Sequence, residues 1–141
     1  MKIKILAIAA VLTLTACDDD QISTVVRQAS DPVYSGSQEG LLSYGEQLWQ
    51  DPTIGNSGLA CGTCHTGGSA LNATFKQPYP HYVAMVEDQT GLMSVTAEQM
   101  VQFCMLKPMQ ADMFAWDSKE LAALTLYVES VVQPEYIKQH P

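Results

Sequence analysis

The feature that most constrains this chain is the pentapeptide Cys61-Gly62-Thr63-Cys64-His65, which occurs once in 141 residues. Two thiols with this spacing can reach the two vinyl groups of one porphyrin and form thioethers, while the adjacent imidazole meets the iron from one face. The pattern is the attachment signature of c-type heme. The sequence therefore predicts one covalent heme c, with Cys61 and Cys64 as attachment residues and His65 as the proximal iron ligand.

Two other uses of paired cysteines fit the surroundings less well. A zinc knuckle needs two further ligands in a compact cluster, and a thioredoxin-like redox pair needs a strand before it. Here a turn-rich stretch, Gly55-Asn56-Ser57-Gly58, precedes the motif, and Gly67-Gly68 follows it. The context therefore favours heme attachment over both.

The N-terminus carries a targeting signal. Two lysines precede an apolar run over residues 5–14, which is too short to span a bilayer, and Leu14-Thr15-Ala16-Cys17 resembles the lipobox of bacterial lipoproteins. The pattern predicts a signal peptide over residues 1–16 and lipidation of Cys17, which would anchor the chain stably without crossing the membrane. Asp18 resembles the inner-membrane retention signal of enterobacterial lipoproteins. The expected location is therefore the periplasmic face of a bacterial membrane, most simply the inner one.

Composition and periodicity divide the rest of the chain. Residues 17–38 hold few large apolar side chains and are predicted to form a flexible, lipidated tether. Residues 39–134 are predicted to form one domain, and residues 135–141 a C-terminal tail. Within the domain, helical spacing predicts a helix from Glu39 that stops at Asp51-Pro52, a second from about Thr96 to Leu106, and a third that starts at Asp117-Ser118 and stops at Pro134. No alternating strand pattern occurs, so the fold class is all-α.

The first and last predicted helices resemble those of class I cytochromes c. In that family a glycine and an aromatic residue one turn later on the first helix cross an aliphatic and an aromatic residue on the last. This sequence has Gly45 with Trp49, and Leu124 with Tyr127, at the matching intervals. The resemblance implies a small cytochrome c fold in which the N- and C-terminal helices cross and loops wrap one heme.

The second axial ligand is open between two sulfur atoms. Methionine is the common distal ligand of class I cytochromes, and Met109 lies at about the usual interval before the last helix. A narrower resemblance carried by Tyr79-Pro80-His81-Tyr82, by Cys104 and by Trp116-Asp117-Ser118-Lys119-Glu120-Leu121 points to the cysteine-ligated domains of thiosulfate dehydrogenases and the Sox diheme subunit, and implies Cys104. Cys104 is also the one cysteine left over after lipid and heme attachment. His81 is expected to lie in a solvated loop.

These features predict electron transfer by a membrane-anchored periplasmic cytochrome. A carrier needs no catalytic base or nucleophile, and none is predicted. The alternatives are a heme subunit of a sulfur-compound oxidising enzyme, which the narrower resemblance implies, and a heme-based binder of small ligands. The net charge of −8 disfavours nucleic acid and suits basic redox partner proteins, while the lipid would be the contact with the membrane.

Overall fold

A computed structural model of the chain describes residues 25–141, so the predicted signal peptide and Cys17 lie outside the described residues. Within this part, no helix is long and apolar enough to cross a membrane. Short turns of 3₁₀-helix at Thr66–Gly68 and Ala73–Lys76 and a π-turn at Val128–Val132 accompany the α-helices. The α-helices are α1 (Leu41–Gln50), α2 (Cys61–His65), α3 (Ala84–Thr90), α4 (Ala97–Leu106), α5 (Lys119–Tyr127) and α6 (Gln133–Gln139).

The crossing of α1 and α5 organises the domain, as the sequence predicts. Gly45 lies against the backbone of Ala123, and a Cβ added to Gly45 would lie 2.8 Å from the Cβ of Tyr127. The indole of Trp49 packs on the Tyr127 ring with 5.9 Å between centroids. Because glycine removes the one side chain that would separate the backbones, the two helices approach closely and larger residues close around the contact. The all-α cytochrome c fold is thus confirmed.

The C-terminal helix does not stop at Pro134. The π-turn at Val128–Val132 joins α5 to α6, and Pro134 occupies the first turn of α6, where a missing N–H is tolerated. Tyr136 of α6 is buried against Phe75. Most of the predicted tail, residues 135–141, is therefore a packed helix. Proline is compatible with a helix start, and the prediction treated it only as a helix end.

Part of the predicted tether also packs on the domain. Val25 is fully buried in a cluster with Phe103 of α4. Arg27 forms an ion pair of 2.6 Å with Glu98 and lies 5.4 Å from the centre of the Trp116 ring. We call residues 25–32 the N-terminal strap. The expectation of a flexible tether over all of residues 17–38 does not hold for the strap, because one apolar side chain and one arginine find partners far away in sequence.

Two further features lie between the motif and α4. The helix α3 was not predicted; it contributes one buried residue, Val86, and ends at Gly91, which has a left-handed backbone conformation (φ 74°). His81 and Val95 form an isolated antiparallel bridge, with N–O distances of 3.2 and 3.0 Å. By contrast, α4 begins directly after its cap residue Thr96, close to the predicted start, with a capping box formed by Thr96 and Gln99.

Candidate heme site

A cavity of about 540 Å³ lies between the helix crossing, the Cys61–His65 motif and α4. Its volume falls in the range of small-molecule and cofactor sites. Leu59 and Met85 line it and are also partly exposed at the surface, so the cavity reaches the surface near them. The lining is mostly apolar, and its polar members outside the motif are Asn72, Thr74, Tyr79, His81 and Lys107.

The two motif cysteines sit on α2, which begins after Ala60 and packs on the end of α1. At this contact Gly62 lies close to the side chain of Gln50, and a Cβ added to Gly62 would lie 2.8 Å from the Gln50 side-chain oxygen. Both thiols line the cavity, and neither is in a disulfide. Burial raises the pKa of the Cys61 thiol to about 11, so Cys61 is protonated at neutral pH. The thiols are therefore available side by side at the edge of the cavity.

His65 is held as a neutral imidazole. Its ring lies 5.7 Å from the Trp49 ring and lines the cavity. Burial lowers the pKa of His65 below its ordinary value, partly offset by the backbone of Ser69. Nδ1 is buried and has no hydrogen-bond partner of good geometry. A neutral histidine with one nitrogen turned to the protein and the ring facing a cavity is suited to bind a metal through the other nitrogen.

One face of α4 lines the cavity. Ala97, Met100, Val101, Cys104 and Met105 follow the helical spacing and all contribute to the lining. Burial, with smaller contributions from the neighbouring thiols of Cys61 and Cys64, raises the pKa of the Cys104 thiol to about 12. Cys104 therefore shares the cavity with the attachment thiols and is electrostatically coupled to them.

Met109 reaches the same cavity from the segment after α4. Its carbonyl oxygen accepts hydrogen bonds from the backbone N–H groups of Asn56 (2.9 Å) and Ser57 (3.1 Å). Gly55 is needed here because a Cβ would lie 2.8 Å from the Cβ of Met109. The buried Met109 is thus fixed against the loop that leads into the heme motif, a contact that no sequence pattern indicated.

The structure brings both candidate distal ligands, Cys104 and Met109, to the cavity. We call α4 with residues 107–114 the distal wall, because it carries these two sulfur atoms. Met105 also lines the cavity, whereas Met113 packs in the cluster that contains Val25 and Phe103. The distal wall therefore offers more sulfur atoms than one iron can bind.

His81 differs from its prediction. It was expected in a solvated loop, but its side chain is 4% exposed and it lines the cavity. Its ring stacks on Tyr79 with 4.1 Å between centroids, and Phe75 meets it edge-on. The bridge to Val95 turns the residue inward, and such long-range pairing cannot be read from the polar, proline-containing sequence around it.

The cavity fits a c-type heme. Cys61 and Cys64 would hold it covalently, His65 would bind the iron, and the apolar lining suits a porphyrin. Within residues 25–141 no group of three or more His, Cys, Asp or Glu side chains is arranged to hold another metal ion.

Comparison with known proteins identifies one family. The family model described as SoxA/TsdA, cytochrome c domain, matches residues 44–135, more than half of the chain. The match begins within α1 and ends within α6, so that it includes the crossing, the motif and the distal wall. It confirms the narrower of the two resemblances that the sequence indicated. No curated protein and no solved structure matches the chain.

Proposed function

We propose that this chain, which belongs to the SoxA/TsdA cytochrome c domain family, transfers electrons as a membrane-anchored periplasmic protein with a single heme. Membership makes it a c-type cytochrome with covalently bound heme c and a role in electron transfer. The single heme, the lipid anchor and the periplasmic location are our proposal. The observation that carries the heme is the apolar cavity with two thiols and an imidazole at its edge, whereas the anchor and the location rest on the lipoprotein-like N-terminal sequence.

When bound, heme c supplies a one-electron couple between ferric and ferrous iron. Cys61 and Cys64 would hold it covalently at α2, and the neutral imidazole of His65 would bind the iron. The apolar lining limits the water near the cavity, which influences the redox potential through the local dielectric. Leu59 and Met85, where the cavity reaches the surface, would lie beside a docked redox partner. The net charge of −8 suits a basic partner surface.

The covalent heme is tested by making the full chain in a host with a heme-attachment system. We expect a coloured protein whose mature mass includes one heme, and a Cys61→Ala/Cys64→Ala variant that loses this heme on denaturation. Cys104→Ala is the matched control, since it removes a cavity thiol outside the motif and should keep the covalent heme. A wild-type chain that emerges colourless and without the added mass would contradict the proposal.

For the distal ligand we propose Cys104. It lies on the cavity-lining face of α4, and the family resemblance implies a cysteine at this place. It is also the cysteine without another use in an oxidising compartment, where iron would protect a thiol. Its pKa of about 12 without iron means that ligation as thiolate must release a proton, which the positive charge of the metal drives. A thiolate ligand would lower the iron potential relative to a thioether.

Two single variants separate Cys104 from Met109. If Cys104 is the ligand, the oxidised protein lacks the weak near-infrared band that marks methionine ligation, and Cys104→Ala changes the spectrum and raises the midpoint potential. Met109→Leu then leaves both unchanged, as does Met105→Leu, which controls for loss of a cavity methionine. A wild-type near-infrared band that disappears in Met109→Leu would assign the ligand to Met109 instead.

The anchor is tested at Cys17, which lies outside the described residues. Cys17→Ser should release the heme protein from the membrane fraction without changing its spectrum. Only residues 18–24 lie between Cys17 and the strap, and seven residues extend at most ~25 Å. The domain would therefore stay close to the bilayer, so the donor or acceptor is expected at the membrane surface. A wild-type protein found only in the soluble fraction would refute the anchor.

The second candidate is a heme subunit that acts on thiosulfate. It is favoured by the family match and by the position of Cys104 in the cavity. Steady oxidation of thiosulfate by the purified protein with an artificial electron acceptor would establish it, and dependence of the rate on Cys104 would locate the activity. Rapid binding of carbon monoxide to the reduced protein would instead indicate a small-ligand binder. A carrier shows neither.

A further inference from the structure

Tyr79 and His81 form a stacked pair of polar rings on an otherwise apolar part of the cavity wall. Their planes are inclined by 26° with 4.1 Å between centroids. Phe75 meets both rings edge-on, at 6.3 Å from Tyr79 and 6.1 Å from His81. The backbone bridge between His81 and Val95 fixes the position of the pair. The two rings are therefore held rigidly against the cavity.

Within the described part of the chain, Nδ1 of His81 is buried with no hydrogen-bond partner of good geometry. The backbone groups of Gln77 and Pro78 lie near the ring, and the carbonyl of Gln77 already accepts a hydrogen bond of 2.8 Å from Gln133. Burial lowers the pKa of His81 and raises the pKa of Tyr79, so both rings are neutral at pH 7 and each carries a hydrogen-bond donor. Buried polar atoms without partners are costly, and His81 lines the cavity, so a group bound there can reach the ring.

Other polar side chains of the lining are less suited to receive such a partner. Asn72 and Thr74 are bonded to each other through the Asn72 side-chain oxygen. Lys107 is partly exposed, so its ammonium group can remain in water. Among the polar side chains of the lining outside the heme motif, His81 is the one with a ring nitrogen that the structure buries without a partner.

We propose that His81, supported by Tyr79, donates a hydrogen bond to a carboxylate of the heme and thereby helps to set its potential. This inference rests on the proposed heme protein. The porphyrin carries two propionate groups, and an apolar cavity would bury one of them only if a donor met it. A donated hydrogen bond partly neutralises the carboxylate charge. Because that charge favours ferric iron, His81 would raise the midpoint potential.

The experiment compares the midpoint potentials of full-length heme-loaded variants. His81→Leu removes the donor at similar volume, whereas His81→Asn and His81→Gln place an amide near the positions of Nδ1 and Nε2 respectively. We expect His81→Leu to lower the equilibrium constant for reduction about tenfold, which is ~59 mV for one electron. One of the two amide variants should retain the wild-type potential and the other should behave as His81→Leu. Covalent heme and the low-spin spectrum should persist in all three.

Three outcomes overturn the inference. An unchanged potential in His81→Leu would show that the ring is only part of the core. A changed spin state in that variant would make His81 an iron ligand. A lowered potential in Lys107→Met, with none in the His81 variants, would transfer the role to Lys107. If His81→Leu does not accumulate, the Asn and Gln variants decide, since equal potentials in both would contradict a directed hydrogen bond. Absence of heme in the wild-type chain would refute the proposed function itself.

Discussion

The helix crossing and the distal wall face the same cavity, but they are built on different principles. At the crossing, Gly45 lies against Ala123 and Tyr127, and the space between the two backbones decides which side chain is allowed. In the distal wall, Cys104, Met105 and Met109 all reach the cavity, and the choice among them depends on bonding to iron. At the crossing, packing therefore allows only a glycine at position 45, whereas the distal wall presents several possible iron ligands to the cavity. A sequence pattern can identify the first kind of site more readily than the second.

The largest effect is expected at the crossing. Gly45→Val places a branched side chain where a single Cβ already meets the Ala123 backbone, which cannot move without separating α1 from α5. We expect the free energy of unfolding of the heme-loaded protein to fall by about 3 kcal/mol. Gln47→Val, on the exposed face of α1, is the control and should change it by only a few tenths. Urea unfolding measures both, and equal stabilities would show that the crossing is not close-packed.

The crossing could be predicted from the sequence because the residues that form it are close neighbours along each helix. Gly45 and Trp49 lie one turn apart on one helix, as Leu124 and Tyr127 lie about one turn apart on the other, so helical periodicity alone brings each pair to one face. The Thr96 cap of α4 is local for the same reason. The structure of the strap and the burial of His81 depend on partners more than ten residues away. No window of neighbouring residues contains that information.

Two hydrogen bonds between Gln102 of α4 and the backbone of Phe114 hold the two parts of the distal wall together. The fully buried amide of Gln102 donates to the carbonyl of Phe114 (2.8 Å) and accepts from its N–H (2.9 Å). Gln102→Leu leaves both backbone groups unpaired and should lower the free energy of unfolding by about 2 kcal/mol. Gln110→Leu, on an exposed residue, is the control. If the crossing sets stability and the distal wall sets ligand position, Gln102→Leu should also alter the absorption spectrum of the heme. Gly45→Val should leave that spectrum unchanged.

The strap contributes a smaller, separable amount. Val25→Ala removes two methyl groups from a fully buried site against Phe103, and we expect a loss of about 1.5 kcal/mol in the free energy of unfolding. Val33 is 67% exposed, so Val33→Ala should be close to neutral. Identical stability of the two variants would mean that residue 25 is solvated, as the tether prediction had it. The free length between the lipid and the domain would then be longer than residues 18–24.

The smallest expected effect is on the pH dependence of stability, and it tests the burial of His81 in the cavity lining. Burial lowers the pKa of His81 below its ordinary value of 6.5, so the folded chain disfavours the charged ring. A group of this kind contributes stability that is present above pH 6.5 and is lost as the pH falls toward the lowered native pKa, because the unfolded chain binds the proton first. His81→Leu should remove that part of the acid sensitivity. His65, which would bind the iron, is the same in both proteins, so the difference between their curves of stability against pH isolates His81. If the two curves of stability against pH are parallel, the His81 ring is solvated and does not form part of the cavity wall.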